Sequence, residues 1–181
     1  MSVAALTSAP AIVQIHAGLA ILSFALGPVA LLRSRRDLIH RVTGYVWVLA
    51  MFGTAISSLF ISENPMLGPF SPIHILSVIT LGGLTYALRA AIRRDVISHG
   101  RAMRALYAQA LIIPGMFTFL PERRMNVVFS GGQDMAVFWV AAIVGALVMA
   151  GIWFHPTLSR AVGLQGGGWR RIPLFFGRPN R

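Results

Sequence analysis

The chain has 181 residues, 56% of them hydrophobic and 12% charged, with a mean hydropathy of +0.70, which is far too apolar for a soluble globular domain and indicates an integral membrane protein. The net charge of +11 would suit a nucleic-acid partner in a soluble protein, but here the charge follows membrane topology, and no nucleic-acid partner is expected. The absence of cysteine excludes disulfides, thiolate catalysis, cysteine-held iron-sulfur clusters and covalently attached haem.

The opening "MSVAALTSA" has no basic n-region, and the apolar stretch behind it is too long for a signal peptide, so the first span is expected to be retained. A bilayer crossing needs roughly 20 mostly apolar residues. Five stretches meet that need: 11–32, 42–61, 73–91, about 102–120 and 136–154. The expectation is an all-α integral membrane bundle of five transmembrane helices. A single transmembrane domain covers 1–158, and 159–181 forms a basic cytoplasmic tail. All sixteen basic residues are arginine. Those at 33, 35, 36 and 41, at 89, 93, 94, 101 and 104, and at 160, 170, 171, 178 and 181 fall on one side of such a topology. Only Arg123 and Arg124 fall on the other, so the positive-inside rule puts the N-terminus outside and the C-terminus inside. Multi-pass insertion in a bacterial cytoplasmic membrane follows, with membrane lipid as the first partner.

Two segments repeat a phrase. "RRDLIHR" closes one apolar stretch and "RRDVISHGR" closes another, and each stretch opens with Ile-His. The spacing from His16 to His40 is 24 residues and that from His74 to His99 is 25. The reading is a four-helix core of two parallel helix-pair repeats, about 11–62 and 71–120, related by an axis along the membrane normal, with 136–154 as an extra helix.

That symmetry puts His16 and His74 at one depth and His40 and His99 at another, roughly 25 Å away along the helices. Histidine at membrane depth is expensive and points to function. Two imidazoles from different helices are one way to hold a b-type haem, so the four histidines are candidate iron ligands for two haems. Small neighbours such as Gly18, Gly44, Gly82 and Gly83 leave space for a macrocycle. Arg41, Arg101 and Arg104 on the inner side, and Arg123 and Arg124 on the outer, are candidate partners for propionates. The plainer alternatives are interfacial polarity for His40 and His99 and interhelical hydrogen bonding for His16 and His74. His155, beside Pro156, has no counterpart and is read as interfacial. Glu63 and Glu122 are single carboxylates and make no acid-base dyad. The "QGGGWRR" stretch reads as a tail that touches lipid or a partner subunit.

One histidine on each of four consecutive helices resembles the core of the transmembrane diheme cytochromes of b-561 type, over roughly 15–120. That resemblance implies a transmembrane oxidoreductase passing electrons from a reductant such as ascorbate to an acceptor on the far side; the functional expectation for this chain is electron transfer between a quinone or soluble donor and an acceptor. The chain departs from it in the fifth span and in having no lysine. The stretches "HRVTGYVWVLAM", "SPIHILSVITL" and "FTFLPERRMN" are similar to a family of small bacterial membrane proteins that is a domain of unknown function, which implies no activity. The alternative to electron transfer is an accessory subunit of a larger bioenergetic or transport complex.

Overall fold

The computed structural model describes residues 4–33, 37–61, 72–131 and 134–161, and is all helix, with no strand among the described residues. The short α1 (Ala4–Thr7) precedes α2 (Ala11–Leu32), α3 (Leu38–Ser58) and α4 (Pro72–Ile92). Then α5 (Val96–Tyr107) runs on through a π-helical segment (Ala108–Ile112) into α6 (Ile113–Phe117), and α7 (Arg124–Ser130) leads to α8 (Met135–Ala161). Four of these, α2, α3, α4 and α8, are long and apolar enough to cross a membrane. The fourth stretch expected from sequence is not one regular helix but the run 96–117, interrupted by the π segment.

Two helix starts lie earlier than hydropathy alone suggests. Asp37 precedes α3 and accepts the backbone N–H of His40 at 3.0 Å, while Asp95 precedes α5 and accepts that of Ser98 at 3.0 Å. Each aspartate satisfies an amide that the first turn leaves without a partner. The Arg33 guanidinium grips the Asp37 carboxylate, with Nε at 2.9 Å from Oδ1, and that bond and the cap hold the carboxyl well below its usual range. In Asp95 the Ser98 hydroxyl and amide act the same way, more weakly. The aspartate of each Arg-Arg-Asp phrase therefore marks a helix start. Arg35, Arg36, Glu63 and the tail from 162 onward lie outside the described residues, as does the side chain of His155.

α2 packs along α3, α4 along α5, and α3 along α4. The core between them is built from Trp47, Met51, Leu84, Leu106, Tyr107 and Ile152, all nearly or wholly buried. Most of the large apolar side chains outside that core are exposed, among them Val78 and Ile79 on α4 and Ile143 and Leu147 on α8. In water such faces would associate; in lipid they are at home.

The centre of the core answers a specific defect. Pro28 lies inside α2 and has no N–H, so the carbonyl of Phe24, four residues back, loses its helical donor. The Tyr107 hydroxyl donates to that carbonyl at 2.9 Å across 83 residues of chain, and Trp47 Nε1 donates to the neighbouring Ser23 carbonyl at 2.9 Å. The Tyr107 ring fits because position 27 is glycine: a Cβ there would stand 2.0 Å from Tyr107 Cε2.

Tyr107→Phe is expected to destabilise the detergent-solubilised protein by about 1–2 kcal/mol, the cost of stranding a buried carbonyl. In a Pro28→Ala background the loss should largely vanish, because the introduced alanine supplies the missing N–H. Equal losses in the two backgrounds, measured as unfolding midpoints, would show that the bond does not compensate the proline.

Candidate functional site

His16, His74 and His99 each take a separate bond to a backbone carbonyl. His16, on the first turns of α2, sets Nδ1 3.0 Å from the Thr54 carbonyl and 3.1 Å from Ser57 Oγ. His74, on the first turn of α4, sets Nε2 3.1 Å from the Leu59 carbonyl. Both therefore bind the last turn of α3. At the other end His99 sets Nδ1 2.9 Å from the Ala87 carbonyl, and His40 lies in the first turn of α3 with Nδ1 buried from water.

Carbonyls only accept, so the nitrogen facing each carbonyl carries the proton. In the neutral form of each ring, His16 and His99 then have Nε2 as the unprotonated nitrogen, whereas in His74 it is Nδ1. His16 and His74 also face different spaces. His16 lines a partly open cavity of about 190 Å³ between the helices, and His74 lines a separate apolar groove with Leu59, Ile75, Val78 and Ile79. A macrocycle shared by His16 and His74 requires both rings to turn from these bonds.

Around the other expected residues, Arg41 and Arg101 are exposed and Arg104 is half-buried at the His40 and His99 end. Arg123 is exposed and Arg124 half-buried at the start of α7, which packs against α1 and α8. Buried Asn126 fastens that end, its Nδ2 donating to the Phe119 and Asp134 carbonyls at 2.8 Å each. Cations thus stand at both ends of the bundle. Among the described residues no group of three or more histidine, aspartate or glutamate side chains converges as a metal site.

The cavity brings together residues that the sequence reading passed over. Thr54 and Ser58 on α3 and Ser77 and Thr80 on α4 are buried and line it, with Met51, Ala55 and Leu76 as part of its apolar wall. Its far side is the irregular stretch, Ala110 and Leu111 of the π segment with Pro114 and Gly115 of α6. A signal was present: serine or threonine at 54, 57 and 58, and again at 77 and 80, recurs at the three- and four-residue spacing of one helix face. Ser58 and Ser77 hydroxyls meet directly across the α3–α4 contact.

No curated protein and no solved structure matches the chain. Residues 13–154 match the family described as "Predicted membrane protein (DUF2306)", most of the chain's length, and this apolar multi-helix protein belongs to that family.

Proposed function

We propose that this membrane protein binds a small molecule within the bilayer, in the cavity around His16. One observation carries the reading: a cavity lined by an imidazole and several hydroxyls opens where the helical run 96–117 abandons regular geometry, at the π segment and Pro114. Irregular backbone at membrane depth is tolerated where it is enclosed by protein or lines a cavity, and π turns concentrate at functional sites. An ionisable side chain at that depth points the same way. The imidazole and hydroxyls orient the molecule, and the apolar wall holds its body. Ala55→Leu fills the cavity. Protein extracted directly into polymer-bounded lipid discs is expected to carry a small molecule that mass spectrometry finds depleted at least about tenfold in that variant. The lipid-facing control Val144→Leu should leave it unchanged. Equal retention in all three proteins counts against the proposal.

The finer topology belongs to the same proposal. Residues 96–117 extend roughly 33 Å at about 1.5 Å each, enough for a fourth crossing, and α8 makes a fifth. The contact of α1 with α7 supports it, since it puts the end of that run beside the start of α2. The arginine distribution orients the N-terminus outward and the C-terminus inward, in a bacterial inner membrane. Because the chain has no cysteine, single cysteines report cleanly. In intact cells a membrane-impermeant maleimide should label Ser130→Cys and leave Ile97→Cys unlabelled until the membrane is opened; the reverse pattern inverts the topology.

A second reading is electron transfer through two b-type haems, held by His16 with His74 and by His40 with His99. It is favoured by the unprotonated Nε2 of His16 and His99 at opposite ends of the bundle, since a backbone carbonyl on Nδ1 is the usual support for a metal-binding imidazole. Bound haem would supply a one-electron site at each level, with Arg41, Arg101 and Arg104 or Arg123 and Arg124 near the propionates. A pyridine haemochrome assay on protein expressed with haem supplied should then give about two haems per chain, and His16→Ala and His99→Ala should each lose one. A colourless product sinks this second reading and leaves the first standing.

A further inference from the structure

We infer that the His16 cavity selects hydrogen-bond donors: its ligand carries a donor group, such as a hydroxyl, on an apolar body that includes room for a ring. The inference rests on the binding reading above and names the chemistry of what binds.

The argument turns on where each proton in the cavity wall goes. Thr54 Oγ1 donates to the Ala50 carbonyl at 2.8 Å, Thr80 Oγ1 to Leu76 at 2.7 Å and Thr118 Oγ1 to Gly115 at 2.7 Å. Ser58 and Ser77 meet each other, and their remaining partners are the carbonyls of Ala55 at 2.8 Å and Ile73 at 2.6 Å. Whichever serine donates to the other, both protons are used inside the protein. His16 directs its Nδ1 proton to Thr54. What these groups retain is lone pairs, on five hydroxyl oxygens and on His16 Nε2.

Among the described residues that line the cavity, no other side chain carries an N–H or O–H, and Pro114 has no backbone N–H. The wall therefore offers acceptors without donors. A ligand with only carbonyl, ether or anionic oxygens would meet lone pairs with lone pairs, which leaves buried acceptors unpaired on both sides. A hydroxyl donates into the same wall. A single ring fits, because about 190 Å³ exceeds the ~150 Å³ of an engineered apolar cavity that binds benzene. The apolar side chains of Met51, Leu76 and Leu111 suit a ring, and the hydroxyl end lies toward the polar residues.

The test compares phenol with anisole, its methyl ether, which has the ring and the oxygen but no proton to donate. Binding is read from the His16 ring resonances of histidine-labelled protein in lipid nanodiscs, so that partition into lipid does not register. Phenol should shift those resonances saturably and bind at least about tenfold more tightly than anisole. Thr80→Val, close in shape, should weaken phenol several-fold and leave anisole unchanged. Equal affinities for the two overturn the donor rule and leave the binding site in place. No saturable shift with either, against the same result in Ala55→Leu, overturns the binding reading and the donor rule together.

Discussion

In hydrocarbon, every backbone carbonyl that loses its helical donor must find another within the protein. Pro28 creates such a carbonyl at Phe24, in the middle of α2, and the Tyr107 hydroxyl answers it from α5. Gly27 admits the ring and Trp47 closes over it, with ring centres 6.4 Å apart. One hydrogen bond thus ties the first helix of the bundle to the helix that lines the cavity. The π segment begins at the residue after Tyr107. Helix α5 is pinned up to that point, and the extra residue in the π turn changes the face presented by everything beyond it.

The same constraint governs the cavity. Hydroxyls on membrane helices satisfy their protons on the carbonyl one turn back, which costs no water and needs no second helix. At Thr54, Ser58, Ser77 and Thr80 this common device has an uncommon result, because two helices aim their hydroxyl oxygens at one space beside an imidazole. An all-acceptor wall is a consequence of local helix chemistry repeated on neighbouring elements. Either functional reading draws on it. A donor ligand would use His16 Nε2 as one acceptor among several, and a haem would use the same nitrogen on iron. The readings differ in whether His16 and His74 must turn toward each other.

Hydropathy made the long helices α2, α3, α4 and α8 legible, because spans of 20 or more residues leave a signal that does not depend on packing. The interruption of 96–117 was not: only Pro114 and Gly115 hint at it, and the π segment follows directly after the buried Tyr107. In the Arg-Arg-Asp phrases Asp37 and Asp95 act as helix caps, a signal readable from sequence by its position before an apolar run. The positions of the four histidines near helix starts are legible from counting along the apolar stretches. Their partners are not, since the direction of an imidazole depends on how each helix is rotated about its axis, which spacing alone leaves open.

The central claim is that the cavity's protons are committed to the protein and that His16 presents a bare Nε2. Nitrogen-15 NMR of histidine-labelled protein in bilayers at neutral pH, with His16 identified from the spectrum of a His16→Ala control, tests it directly. The account predicts a neutral ring with the proton on Nδ1 and the unprotonated signal on Nε2. A His16 ring protonated on Nε2, whether as the other neutral tautomer or as the imidazolium, would contradict it.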